Sequence, residues 1–219
     1  MTEAAYRRAA DGAVWDLGPG PARALARRDP GLKRALAAID GPVARARPGG
    51  FEGLFRIVTE QQVSVESGKA VWRRCQEAVR PMAPAAYLAL TSDQRRRLGL
   101  TRPKQSYVAA IAEAILSGAL DLGALPGVDD EAAMEALQTV KGVGPWSAAI
   151  YLMFCEGRAD IWPSGDVALM AAYQAAAELP ERPASDAFDE RAQTWRPYRG
   201  LAAHILWTYY AHLKGRVPG

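Results

Sequence analysis

The sequence predicts an all-α protein. Apolar residues recur at helical spacing in several segments, glycines and prolines separate these segments, and no stretch shows the convincing alternation of a half-buried strand. The 219 residues suffice for one large domain or two small lobes with a hydrophobic core. Hydrophobic residues make up 49% and charged residues 23% of the chain, which is ordinary for a soluble globular protein.

The composition argues against several classes of protein. The longest apolar runs are too short to span a bilayer, and the N-terminus has no apolar core of signal-peptide type, so we expect no membrane association. Two cysteines, Cys75 and Cys155, are too few for a disulfide framework or an iron–sulfur cluster. We expect buried, reduced thiols in a cytoplasmic protein. His204 and His212 are expected to be structural rather than zinc ligands.

Arginine carries most of the positive charge in a chain whose formal net charge is only +3. The guanidinium fork suits phosphate oxygens, and a local basic face can attract DNA despite a small total charge. The alternative is a solvated face in an arginine-rich chain, and we adopt it for most of the arginines.

Predicted helices follow one another along the chain between glycine and proline breakers. One apolar stripe, on the helix that begins at Phe51, includes Leu54, Phe55, Val58 and Gln62. Residues 1–10 are expected to be disordered or a short helix, and residues 180–186 a loop. The predicted helical segments are 21–39 with an interruption at 29–31, 51–79, 85–90, 93–98, 103–116, 129–140, 146–154, 164–179 and 201–214.

A tight turn is predicted between the helices 129–140 and 146–154. Gly142 and Gly144 permit backbone angles that other residues avoid, and Pro145 favours the start of a new helix. Bare glycines and the N–H groups of the second helix form a site for an anion such as a phosphate diester. The alternative is an ordinary turn between helices with a glycine cap.

Asp166 is a lone carboxylate 20 positions after Trp146 (166 − 146). It lies at the start of a predicted helix, with Ser164 as the expected N-cap. The positive end of the helix dipole favours its ionised form. Taken alone, Asp166 is better explained as an ordinary acidic residue at a helix start.

Several motifs, in order, carry a resemblance to a known family. FEGLFRIVTEQQVSVES at 51–67, GLTRPKQSY at 99–107, LQTVKGVGPWS at 137–147 and WRPYRGLAAHILW at 195–207 resemble segments of the helix–hairpin–helix plus Gly/Pro-Asp superfamily of DNA base-excision glycosylases. The alkylation-repair branch, 3-methyladenine DNA glycosylase II, is the best match. The resemblance extends from about Gly20 to Leu213.

The resemblance implies a single glycosylase unit, residues 1–219, with two helical lobes and a DNA cleft between them. Residues 51–160, with the hairpin at 137–154, would form the middle lobe, and residues 1–50 and 161–219 the other. About fifty residues precede Phe51, too few for the N-terminal β-rich domain of the bacterial type enzyme. The chain therefore resembles the compact, all-helical form.

The implied activity is base-excision repair. Asp166 would be the catalytic residue that assists hydrolysis of the N-glycosidic bond of an alkylated purine in duplex DNA. Bifunctional members carry a lysine two residues after the second hairpin glycine, where this chain has Trp146. The resemblance therefore implies a monofunctional enzyme without lyase activity, acting as a monomer on double-stranded DNA that contains a damaged base.

The same resemblance implies roles for further residues in the base pocket and in DNA contact. Trp146, Trp207 and Tyr151 would line the base pocket, although the family's tyrosine position is Ile150 here. Gln62 matches the position that enters the vacated base stack. The residues expected to contact DNA are Gln61, Gln62, Lys141, Gly142, Val143, Gly144 and Ser147.

One cofactor is implied. The backbone carbonyls of Gln138, Val140 and Val143 match a structural site for a monovalent cation, Na⁺ or K⁺. No other cofactor is expected.

Two alternatives stay open. One is a glycosylase of different specificity, such as an adenine- or thymine-mismatch enzyme of the endonuclease III type, although those usually carry a four-cysteine iron–sulfur cluster. The other is a non-catalytic DNA-binding module that keeps the hairpin. The lesion is also open among 3-methyladenine, 7-methylguanine, hypoxanthine and ethenoadenine.

Overall fold

The computed structural model describes Arg7–Arg8, Trp15–Asp16 and residues 18–217, and these residues are mainly helical. A 3₁₀ turn covers Leu125–Gly127. The helices are α1 Pro19–Arg28, α2 Pro30–Ala37, α3 Gly50–Glu60, α4 Val65–Ala78, α5 Pro84–Leu88, α6 Ser92–Arg97, α7 Arg102–Leu116, α8 Asp130–Gln138, α9 Pro145–Cys155, α10 Val167–Ala177, α11 Ser185–Gln193 and α12 Arg199–Leu213. The all-α prediction is confirmed.

Two short strands and one helix were not predicted. The strands β1 Arg7–Arg8 and β2 Trp15–Asp16 form an antiparallel pair, so the expectation of a short helix or disorder is wrong for Arg7 and Arg8. Two-residue strands are too short to show an alternating pattern. The other residues of the stretch 1–10 lie outside the described residues. The helix α11 was also missed, because its sequence is mostly polar and buries mainly Phe188 and Ala192.

The chain divides into two compact units, Met1–Ala46 with Leu152–Gly219 and Arg47–Tyr151. The boundary that the sequence suggested at residue 160 lies after the end of α9, whereas the division falls inside that helix. The two lobes implied by the resemblance, 51–160 and 1–50 with 161–219, stay a prediction.

In the unit Arg47–Tyr151, α3 packs against α4 and α7, and α5 packs against α7. Leu54, Phe55 and Val58 are buried as the predicted stripe requires. Gln62 is not on this stripe, because α3 ends at Glu60. The ring of Phe55 makes edge contacts with other aromatic rings of this core, those of Trp72 and Tyr87.

In the other unit, α10 packs against α2 and α12. Asp29 is only 1% exposed, and its carboxylate accepts hydrogen bonds from the Leu32 N–H, the Tyr173 hydroxyl and the Trp195 indole. Because Tyr173 belongs to α10, this buried carboxylate connects the start of α2 to the helix that begins just after Asp166.

Cys75 and Cys155 are buried free thiols, as predicted. Burial raises the pKa of Cys75 to about 12, so its thiol stays protonated at neutral pH. Within the part of the chain that the structure describes, every helix falls short of the length and hydrophobicity needed to cross a bilayer.

Candidate functional site

The predicted hairpin is present between α8 and α9, where the Val143 N–H donates to the Val140 carbonyl oxygen at 3.0 Å. Gly142 has a φ of +91°, which residues with side chains rarely adopt. A Cβ at Gly142 would also lie 2.2 Å from Cγ of Tyr107, so backbone and packing both require glycine. The helix–hairpin–helix motif expected from the sequence is therefore confirmed.

One side of the hairpin is open to solvent. Lys141, Gly144 and Pro145 are exposed, and a Cβ at Gly144 would meet nothing within 4 Å. Because α9 begins at Pro145, the main-chain N–H groups and the positive dipole end of its first turn lie next to these residues. Such a surface favours a phosphate oxygen as ligand and reads no base.

Two of the residues predicted to contact DNA have buried side chains. Val143 is buried, and Ser147 is 3% exposed with its Oγ accepting a 2.7 Å hydrogen bond from Nε2 of Gln61. These two residues can offer main-chain atoms to DNA but little side chain. Nε2 of Gln61 also donates to the Gly142 carbonyl oxygen at 3.2 Å, so Gln61 connects the end of α3 to the hairpin.

Gln62 lies in the turn between α3 and α4, with an exposed side chain. Its φ is +52°, in the left-handed region that non-glycine residues seldom occupy. An exposed residue held in an uncommon backbone conformation is a feature often found where a turn meets a ligand.

Asp166 is the N-cap of α10, and it is partly buried. Its Oδ1 accepts hydrogen bonds from the main-chain N–H groups of Ala168 at 2.9 Å and Leu169 at 3.0 Å. The expectation that Ser164 caps this helix is wrong, because the chain turns at Gly165, whose φ is +76°, and the helix begins after Asp166. The arrangement fixes a carboxylate at the positive end of a helix.

A second carboxylate holds the loop that precedes Asp166. On α11, Asp189 accepts a 2.8 Å hydrogen bond from Nε1 of Trp162, and a further bond from the hydroxyl of Ser164. The ring of Trp162 makes edge contacts with the rings of Phe188 and Trp195. This loop is therefore anchored by hydrogen bonds and by aromatic packing.

Of the three predicted pocket aromatics, Trp146 and Trp207 each keep part of the side chain exposed. The indole of Trp207 makes edge contacts with Phe154 at 5.6 Å and His204 at 5.7 Å between ring centroids. Tyr151 is only 2% exposed, and its hydroxyl accepts a 2.8 Å hydrogen bond from the Gly50 N–H. The structure therefore leaves little of the Tyr151 ring for a ligand.

Several arginines form ion pairs or hydrogen bonds with other residues of the chain. Arg47 forms an ion pair of 2.8 Å with Glu60, and both side chains are largely buried. Arg74 donates to the Leu98 carbonyl oxygen, and Arg95 to that of Leu88. For these three arginines the interpretation of a solvated face is wrong, because each binds an acceptor within the protein.

The sequence analysis assigned no role to three residues that the structure places next to the candidate site. Lys104 and Tyr107, three residues apart on α7, contact the turn after α3 and the hairpin respectively, and Asp189 anchors the loop before Asp166. The spacing of Lys104 and Tyr107 places both on one helix face, a signal that the sequence did contain. No comparable signal marks Asp189, because its partners lie about 25 residues away in the chain.

Comparisons with known proteins find similar chains by sequence and by fold. No family model matches the chain. It is 32% identical over 124 residues to YfjP of Bacillus subtilis, a match that covers 57% of this chain and 43% of that protein. The chain thus accounts for less than half the length of this relative.

Two relatives from Schizosaccharomyces pombe match over most of their length. The alkylbase DNA glycosidase-like protein is 25% identical over 172 residues, which cover 76% of this chain and 81% of the relative. DNA-3-methyladenine glycosylase 1 is 26% identical over 161 residues, which cover 72% and 71%.

Solved structures show the same fold. The 3-methyladenine DNA glycosylase of S. pombe, solved with abasic DNA, superposes with a TM-score of 0.81 at 23% identity, covering 87% of this chain and 96% of the other. A DNA-3-methyladenine glycosidase of Bacillus halodurans gives a TM-score of 0.76 at 23% identity, with coverages of 94% and 95%.

Proposed function

We infer that this chain, which belongs to the helix–hairpin–helix superfamily of DNA glycosylases, hydrolyses the N-glycosidic bond of alkylated purines in duplex DNA. The observation that carries this inference is a glycine hairpin, fit to bind phosphate, together with a carboxylate fixed at the start of α10. The names of the relatives, which specify 3-methyladenine and alkylated bases, support the choice of substrate.

Asp166 would supply the electrostatic part of the reaction. Cleavage of the glycosidic bond develops positive charge on the sugar, and a fixed anion beside it stabilises that charge as it forms. The N–H groups of Ala168 and Leu169 hold Oδ1, so the carboxylate needs little rearrangement during the reaction. Asp166 can also orient the attacking water or accept its proton.

The target base must leave the helical stack before Asp166 can act on its sugar. A cationic alkylated purine is electron-poor, so stacking on an indole adds cation–π attraction. The part-exposed indoles of Trp146 and Trp207 are suited to this task. Because Trp146 occupies the place of the lysine in bifunctional relatives, the strand should remain uncut.

The hairpin carbonyls also suit a monovalent cation, whose positive charge would favour DNA phosphate nearby. Gln138, Val140 and Val143 supply oxygen ligands of the kind that hard cations prefer. The Val140 oxygen already accepts the hydrogen bond from the Val143 N–H, which leaves one lone pair for a cation. We propose Na⁺ or K⁺ as a structural ion, without a part in the chemistry.

A competing function is a DNA-binding module without catalysis. The observation that favours it is the capping role of Asp166, since a helix cap explains a carboxylate at this position without any reaction. A glycosylase of different lesion specificity is the other competitor.

The proposed function is tested by incubating the wild-type protein with duplexes that each contain one defined lesion. We expect release of the free base, and strand breaks only after subsequent alkaline treatment. Breaks without alkali would contradict the monofunctional mechanism. Tight duplex binding without base release from any alkylated substrate would support the non-catalytic module instead.

A further inference from the structure

The turn that carries Gln62 is held by a lysine that no step of the mechanism uses. Nζ of Lys104 donates to the carbonyl oxygens of Thr59 at 2.8 Å and Gln61 at 2.7 Å. These carbonyls belong to the C-terminal end of α3, where a cation also interacts favourably with the helix dipole. The Lys104 side chain is partly buried, and this burial lowers the pKa of its ammonium group.

This lysine is connected to the hairpin by one residue. While the Gln61 carbonyl oxygen accepts from Lys104, the Gln61 side chain donates to the Gly142 carbonyl oxygen and to Oγ of Ser147. One turn further along α7, the ring of Tyr107 lies directly against Gly142. The helix α7 therefore contacts both the turn after α3 and the hairpin.

The turn itself needs such support. Gln62 adopts a φ of +52°, and the residues on either side of Ser64, Val63 and Val65, are 41% and 58% exposed. At its C-terminal end the turn is held by Ser64, which caps α4. At its start it is held by the hydrogen bonds of Lys104 to the carbonyl oxygens of Thr59 and Gln61.

We propose that Lys104 and Gln61 form a positioning link that keeps the Gln62 turn in a fixed place relative to the hairpin, so that a duplex held by its phosphates meets Gln62 at the base to be extruded. The link rests on the proposed function. It assigns Lys104 to base extrusion rather than to duplex binding or to bond cleavage, because it contacts the turn and not the open side of the hairpin.

The test compares single-turnover base release from two substrates. Both carry a lesion that the wild type removes, either paired with its normal partner or opposite an abasic site, where extrusion is easier because no base pair must be broken. Lys104→Met removes the donors while keeping most of the side-chain length, and Lys104→Arg keeps a positive donor. Lys33→Met, at an exposed lysine of α2, is the control.

For Lys104→Met we expect release from the paired lesion to fall on the order of 10- to 100-fold, as misplacement of a positioning residue can cause. Release from the unpaired lesion and the duplex Kd should change by less than about threefold, since neither the chemistry nor the phosphate contacts involve Lys104. Lys104→Arg should recover much of the loss, and Lys33→Met should match the wild type.

Equal losses on both substrates, or a weakened duplex Kd that accounts for the whole effect, would overturn the positioning role. If Lys104→Met does not fold, Lys104→Gln, which keeps a polar side chain but loses the positive charge, should show the same selective loss, and its absence would also overturn the proposal. A wild type that releases no base from either substrate would instead refute the proposed function.

Discussion

Gly142 lies so close to the ring of Tyr107 that a Cβ on the glycine would be 2.2 Å from Cγ of the tyrosine. The shape of the hairpin is therefore set by a contact with α7 as well as by its own turn residues. Experiments can distinguish the roles of the two hairpin glycines, because Gly142 contacts Tyr107 and Gly144 does not.

We expect Gly142→Ala to lower the free energy of unfolding by at least about 2 kcal/mol, from the left-handed backbone and the collision with Tyr107. Gly144→Ala should change it by less than about 0.5 kcal/mol, since a Cβ there meets open space, yet it should weaken duplex binding by blocking phosphate approach. Urea unfolding and a duplex-binding titration measure the two effects. Equal stabilities of the two variants would contradict this account of the hairpin.

Trp207 should discriminate between charged and neutral bases. Replacing it with leucine removes the aromatic face, so we expect release of a cationic base such as 3-methyladenine to fall about 2- to 30-fold more than release of neutral hypoxanthine. Trp207→Phe keeps an aromatic ring and should lose less. Release rates for both lesions measure the effect, and proportional losses on the two would exclude cation–π recognition by this residue.

His204 should make stability depend on pH. Burial, with a smaller contribution from the charge of Arg45, lowers the pKa of His204 to about 3. Because the unfolded histidine titrates near about 6.5, only the unfolded chain takes up this proton as the pH falls below that value. The free energy of unfolding should therefore decrease by up to about 1.4 kcal/mol per pH unit below pH 6.5, toward pH 3.

Urea unfolding between about pH 6.5 and 5, above most carboxylate titrations, isolates this effect. His204→Gln should reduce the slope of the free energy of unfolding against pH by the amount that one proton contributes. His212→Gln, at an exposed position, should leave this slope unchanged. Identical slopes for the wild type and His204→Gln would show that the histidine does not stay neutral in the folded state.

Asp29 should be essential for the packing of α10. Asp29→Ala leaves the Tyr173 hydroxyl and the Trp195 indole N–H buried without this acceptor, so we expect a loss of about 3–5 kcal/mol in the free energy of unfolding. Asp129→Ala removes an exposed carboxylate that caps α8, and should cost about 1 kcal/mol. Urea unfolding of both variants tests this, and similar losses would contradict the burial argument.

The sequence indicated the hairpin and most helices because their signals are local. Glycine and proline positions mark the turn at 140–145, and apolar spacing marks α3 and α9. The helix α11 has no such signal, since its N-cap Ala184 makes no side-chain hydrogen bond and its buried surface is small.

The candidate site was harder to predict in detail, because its geometry depends on contacts between distant residues. The bonds of Lys104 to Thr59 and Gln61, and of Asp189 to Trp162, join residues at least 25 positions apart. A helix face can be read from residue spacing, but the partner of that face cannot. The capping of α10 by Asp166 instead of Ser164 depended on a single left-handed glycine, Gly165.

The most direct test of the central claim is the rate of base release by Asp166→Asn. Asparagine caps a helix about as well as aspartate, so the stability of the protein and its duplex Kd should match the wild type. Asp166→Ala, which also loses the cap, should in addition lose about 1 kcal/mol of stability. We predict that Asp166→Asn lowers single-turnover release of an alkylated purine by at least about 100-fold with binding retained. Release at the wild-type rate would show that Asp166 is only a helix cap and would contradict the account.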